Sequence, residues 1–244
     1  MNLLAPLRTR SRPREHRVVL DLDGCAVPLI VRRHPRARRV VLRLDAEGDG
    51  ALVTIPERVS FEDGVAQARN HAGWILRRLA AIPPRVPFVD GAVLPFLGQN
   101  HRLRHHTRTF PAVRREGGEI IVAGRAEDLP RRVADWLRRQ ARVEIGARVG
   151  DKAATLGRAP GRITVRDTRS RWGSCSAAGN LSFSWRLVMA PVDVLDYVVA
   201  HEVAHLAHRD HGRGFWRTVA SLTEDVDAGR AWLRRNGRGL HRFG

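Results

Sequence analysis

Apolar and polar residues alternate with a period of two over the first structured third of the chain. From Arg17, the runs RVVLDL and CAVPLIVRR flank Asp23-Gly24, a dipeptide that favours a tight hairpin turn. A second pair, RRVVLRLD and ALVTIP, is separated by a loop from Ala46 to Gly50. These runs predict a small antiparallel sheet. The period then lengthens: Val65, Ala68, Ala72, Ile75, Leu76 and Leu79 share one face of a single helix over residues 61–81, which Pro83-Pro84 ends. Further β runs follow at 92–97, 101–104 and 119–122. Gly124 and Glu127-Asp128-Leu129-Pro130 mark a change to helical patterning and predict a boundary near residue 125. A stripe of Val133, Leu137, Ala141, Ile145 and Val149 predicts a long helix over 131–156, closed by Gly157. A strand at 161–166, a hairpin turning at Gly179-Asn180 and a helix from about Pro191 complete the pattern. No segment repeats another, so no internal repeat is expected.

The expected organisation is therefore a tail over 1–16, a β-rich region with one helix over 17–125, and a helical domain over 126–244. The tail carries two prolines, four arginines and no apolar periodicity, and is expected to be flexible. Hydrophobic residues at 43% of 244 are ordinary for a globular chain and exclude wholesale disorder. Cys25 and Cys175 are too few for a disulfide framework, and no signal-peptide pattern opens the chain, so a reducing, cytoplasmic setting is expected. No run approaches the roughly 18 apolar residues of a membrane span, so no membrane partner is expected. The net charge of +18 would attract polyanions and makes non-specific nucleic acid a candidate partner. Lys152 is the only lysine, however, and the arginines are spread along the whole chain. That distribution fits a GC-rich coding bias better than a dedicated nucleic-acid surface.

The strongest chemical signal is His201-Glu202-Val203-Ala204-His205, an H-E-x-x-H motif in the helix after Pro191. Residues four apart share a helix face, so both imidazoles can point at one metal ion while Glu202 sits beside it as a proton acceptor. Three candidates compete for a third ligand. His211 lies ten positions after His201, where H-E-x-x-H-x-x-G-x-x-H sites place their third histidine. His208 stands where that pattern has glycine, and histidine tolerates a left-handed turn better than most side chains. His208 as a ligand would require one ion to be reached from two helical turns. Glu224 or Asp225 would instead complete a His₂-carboxylate site.

Around this motif stand Arg171-Trp172-Gly173-Ser174-Cys175-Ser176, Asn180-Leu181-Ser182-Phe183, Asp196-Tyr197-Val198-Val199, and His211 followed by Phe215-Trp216. Together with VRRHPRARRVVLRL, HAGWILRRL and LGQNHRLR, they resemble the YgjP-like metallopeptidase domain family, which is related to SprT-type and WLM-type zinc proteases. The likeness runs from about residue 30 to residue 220. It implies an α+β fold with a zincin-like catalytic core behind a β-rich N-terminal region. It also implies one Zn²⁺ per chain at His201, His205 and His211, with Glu202 as the general base of peptide hydrolysis. Asp210 and Gly212 depart from the residues common in the family, at positions that touch no proposed ligand.

Arg169, Arg171 and Tyr197 are candidates to stabilise a developing oxyanion. Trp172, Phe183, Trp185, Phe215 and Trp216 read best as core, with Trp172 also a candidate for the cleft wall. Cys175, on a hairpin expected to border the cleft, is a candidate regulatory thiol that could bind zinc as thiolate. Two classes of function follow: a zinc endopeptidase acting on a protein or peptide, or a nucleic-acid-binding or scaffolding protein with a non-catalytic zinc site.

Overall fold

The structure, a computed structural model, describes residues 15–45, 49–82, 84–107 and 113–244. The tail expected over 1–16 lies outside the described residues except for Glu15 and His16, which already belong to a strand, and the loop residues Ala46 to Gly48 lie outside them too. The fold is mixed α and β, with three sheets and six α-helices among the described residues. The chain forms two compact units, 1–83 and 84–244.

In the first unit, β1 (Glu15–Leu22) and β2 (Cys25–Arg33) form the hairpin expected at Asp23-Gly24, where both residues take positive φ (51° and 81°). β3 (Val41–Leu44) and β4 (Ala51–Ile55) form a second antiparallel hairpin. The sheet order is β1-β2-β4-β3, and β2 runs parallel to β4. The sheet is thus mixed and not wholly antiparallel as expected. Turn chemistry dictates the first hairpin locally, whereas the docking of the two hairpins follows burial: Leu29 opposite Ala51 and Val31 opposite Val53 bring the apolar positions onto one face. That face is covered by α1 (Phe61–Asn70) and α2 (Ala72–Ala80). The single helix expected over 61–81 breaks at His71, which leaves helical geometry (φ −113°, ψ 22°) and bonds Gln67 O through Nδ1 at 2.9 Å. Ser60 opens α1 in a capping box with Asp63. Gly64 lets α1 approach the sheet, since a Cβ there would lie 2.7 Å from Val31 Cγ1.

The second unit begins with the same plan. β5 (Val93–Phe96), β6 (Gln99–His106), β7 (Val113–Glu116) and β8 (Glu119–Ala123) take the order β5-β6-β8-β7, again with the two inner strands parallel. Its first hairpin also turns on two positive-φ residues, Leu97 (49°) and Gly98 (78°). In both units a helix follows the last inner strand after a short connection: β4 ends at Ile55 before Phe61, and β8 ends at Ala123 before Leu129. The backbone therefore repeats where the sequence shows no repeat, because the plan needs only turn chemistry and alternation, which many residues satisfy. β7 reads VRRE, has no buried position and so left no period-two signal. α3 (Leu129–Thr155) buries Val133, Leu137, Ala141, Ile145 and Val149 completely. At roughly 1.5–3 kcal/mol for each large aliphatic side chain, that stripe is a major stabilising term. It packs in one core with Leu94, Phe96, Leu103, Ile120 and Val122. Residue 125 consequently lies inside the second unit, and the chain divides between 83 and 84 instead.

Residues after α3 build what the first unit lacks. β9 (Ile163–Arg166), β10 (Gly173–Cys175) and β11 (Leu181–Ser184) form a sheet of order β10-β11-β9, with a 3-10 segment at Trp185–Met189 behind it. α4 (Val192–Ala204) then packs against α3, α5 (Arg213–Leu222), α6 (Val226–Leu240) and β10. Nine of its residues are buried, as befits a helix enclosed on several sides. Lys152 on α3 holds α4 through Asp196 (2.8 Å) and also donates to the Leu222 carbonyl, while Thr223 bonds Asp196 at 2.8 Å. The chain's only lysine thus ties together α3, α4 and the end of α5. Arg186 pairs with Asp167 (2.8 Å) and donates to the carbonyls of Leu240 (3.0 Å) and Phe243 (2.8 Å), fastening the C-terminal residues. No described helix is long and apolar enough to cross a membrane.

Candidate metal centre

α4 carries His201 and Glu202 and ends at Ala204, one residue before the second histidine of the motif. His205 keeps helical dihedrals as the C-cap (φ −66°, ψ −14°), so its ring stays one turn beyond His201 on the same face. The chain then turns through Leu206 N to Val203 O (2.9 Å) and His208 N to Ala204 O (3.0 Å). His208 does not take positive φ, so the turn needs no left-handed residue where the related pattern has glycine. It returns His211 to the metal face just before α5.

The donor atoms of His201, His205 and His211 all lie within 4.8 Å of one another. The Nε2 atoms of His201 and His211 are 3.2 Å apart. Two nitrogens bound to zinc at 2.0–2.1 Å in tetrahedral geometry would be about 3.3 Å apart, so the donor set fits that ion. His205 directs Nδ1 at the His208 carbonyl (2.9 Å), which leaves Nε2 for a metal. Burial, reinforced by the two neighbouring imidazoles, pushes His201 down to about 4 and keeps it neutral with a lone pair available. The Phe215 ring packs against all three imidazoles, with centroids 4.6–4.9 Å away.

The rival ligands stand elsewhere. His208 bonds Thr218 Oγ1 at 3.1 Å and supports His205 through its carbonyl. Asp225 caps α6 by accepting from Ala228 N at 2.8 Å, and the exposed Glu224 precedes it between α5 and α6, on neither helix.

Glu202 is 6% exposed and faces a cleft of about 430 Å³ together with the three histidines. Burial raises its carboxyl to about 7, against an opposing pull from Arg171. Gly173 on β10 is the residue that admits this side chain, because a Cβ there would lie 2.5 Å from Glu202 Cγ. Within R-W-G-S-C the sequence alone gives Gly173 no role, and only the packing of β10 against α4 reveals one. Arg209 also lines the cleft and donates to Ala177 O at 3.1 Å; its position four residues after His205 was the available signal.

Of the residues expected at the cleft, Arg171 and Cys175 line it. Cys175 is outside the imidazole cluster, and burial together with Glu202 pushes its thiol up, away from thiolate. Trp172 turns the other way, stacks on His241 at 5.0 Å and fits against Gly237. Tyr197 is buried behind the metal face, its ring 6.0 Å from that of His201, with Gly229 of α6 against it. Burial raises its phenol.

The sequence model described as "YgjP-like, metallopeptidase domain" matches residues 38–236. No curated protein matches the chain. Among solved structures, the metallopeptidase zymogen abylysin of Pyrococcus abyssi aligns at 19% identity over 38% of this chain and 93% of its own, with a TM-score of 0.34, a likeness too slight to define the fold. With its family match extending over most of its length and including every residue of the three-histidine cluster, the chain belongs to the YgjP-like metallopeptidase domain family.

Proposed function

We propose that this protein is a zinc-dependent endopeptidase with a zincin-like core, holding one zinc ion through His201, His205 and His211. The observation that carries the reading is the convergence of three imidazole donors within 4.8 Å beside a buried glutamate in an open cleft. Zinc, when bound, supplies Lewis acidity toward water and the scissile carbonyl. Glu202 takes up and returns the proton, a role suited to a carboxyl raised to about 7 by burial. Arg171 is the cleft-lining candidate for balancing developing negative charge on the carbonyl oxygen. β10 is an edge strand of its sheet and borders the cleft, so an extended protein or peptide substrate can pair with it.

Metal content by mass spectrometry, measured with hydrolysis of a quenched fluorescent protein substrate, tests this reading. One zinc per chain in the wild type, lost together with hydrolysis in His211→Ala, is the expected result. Full zinc content in His211→Ala would overturn the three-histidine assignment. Bound zinc without hydrolysis of any peptide would favour the non-catalytic alternative.

A further inference from the structure

Arg171, Ser174, Cys175 and Ser176 border two hollows at once. One is the cleft beside Glu202, and the other is a groove of about 730 Å³ across the three-stranded sheet. Strand register explains what the groove presents. Ser174 pairs with Ser182, which pairs with Thr164, so one row of three hydroxyls crosses β10, β11 and β9. The adjacent row, Gly173, Phe183 and Val165, points to the opposite face, where Phe183 and Val165 join the core. Arg162 and Arg166, both exposed, flank Thr164 two residues to either side and share its face. Among the described residues no carboxylate lines this groove, and the guanidinium groups of Arg162, Arg166 and Arg171 have no ion-pair partner. The neighbouring acid, Asp167, is already held by Arg186 at 2.8 Å. Unpaired arginines around a row of hydroxyls, of which Thr164 Oγ1 already donates to Leu181 O at 3.3 Å, suit an anion, and the guanidinium fork suits a carboxylate.

We propose that this groove is a specificity subsite for acidic side chains of the peptide substrate, with Arg162 and Arg166 as its charged contacts. The inference rests on the peptidase reading of the adjoining cleft. A peptide added to the edge of β10 would place alternate side chains over the hydroxyl face. Ser174 follows Gly173, the residue against Glu202, so the favoured acidic residue falls within a few positions of the cleaved bond. Single-stranded nucleic acid fits less well, because such grooves stack bases on aromatic rings and none lines this one.

The test uses the full-length, zinc-loaded protein and matched fluorogenic peptides carrying Glu, Gln or Lys at each position flanking the scissile bond. The expected result is a kcat/KM about tenfold higher for Glu than for Gln at one or more positions, declining as salt rises. In the double variant Arg162→Gln/Arg166→Gln that ratio should fall to near one, with an unchanged melting temperature showing that the fold is intact. Equal cleavage of Glu and Gln peptides by the wild type would overturn the subsite and leave the peptidase reading standing. If no peptide is cleaved, that reading fails separately, and fluorescence anisotropy decides the subsite. An acidic peptide bound by the wild type and released in the double variant would sustain it. Absence of such binding, or an arginine-dependent preference for a single-stranded oligonucleotide, would overturn it.

Discussion

Two sheets in this chain follow one plan and carry different responsibilities. β1–β4 with α1 and α2, and β5–β8 with α3, share strand order, parallel inner strands and a positive-φ first hairpin. In the first unit a broken helix pair covers the sheet and the arrangement ends there. In the second, one unbroken helix covers the sheet and also supplies Lys152, the anchor for α4, which carries His201 and Glu202. A sheet-and-helix layer is thus sufficient to bury a core, and chemistry arrives only where further elements are packed on its helix.

The sharpest break between the two units should come from Glu202→Gln. Hydrolysis is expected to fall by roughly 10²–10⁴-fold while zinc content and melting temperature hold; retained hydrolysis would remove Glu202 from the chemistry. The two tightly packed glycines sharpen the contrast. Gly173→Ala presses on Glu202, and kcat/KM should drop at least about tenfold even in a folded protein. Gly64→Ala presses on Val31 and should cost about 1–3 kcal/mol of stability, read by urea unfolding, with hydrolysis below the transition unaffected. Loss of activity without loss of stability in Gly64→Ala would contradict the division of labour.

Lys152→Met leaves Asp196 partly buried without its cation, and a loss of about 2–4 kcal/mol is expected from the same unfolding measurement. The smallest effect concerns His241, stacked on Trp172. Burial, aided by Arg186, pushes it down to about 4, against about 6.5 in the unfolded chain. The unfolded state takes the proton first, so this stabilising contribution is complete above about 6.5 and is lost as pH falls toward 4. The stability difference between pH 7.5 and 4.5 should therefore narrow in His241→Phe; an unchanged difference would clear His241 of this role.

Much of this was legible in the residues. Alternation and the Asp23-Gly24 turn exposed the hairpins, and the Val133 to Val149 stripe exposed α3, because period and turn chemistry are local properties. The spacing of His201 and His205 did the same for two donors of the imidazole cluster, since a helix brings residues four apart onto one face. The break at His71 was not legible, as the apolar face runs on through it. Nor was the position of Trp172, whose aromatic ring suits a cleft or a core equally well until Gly237 and His241 are seen against it.

The sequence by itself determined most of the strands and helices, though neither β7 nor the break at His71, and also which residues can donate to a metal and the family to which their arrangement points. Tertiary structure decided the rest: that paired hairpins run parallel at their inner strands, that the chain divides at 83 and not at 125, that His211 meets His201 while His208 and Asp225 do not. It also set Gly173 against Glu202 and left Arg162 and Arg166 unpaired on one sheet face. These outcomes depend on how separate segments pack together, which burial and close packing choose, and local residue patterns carry no record of such choices.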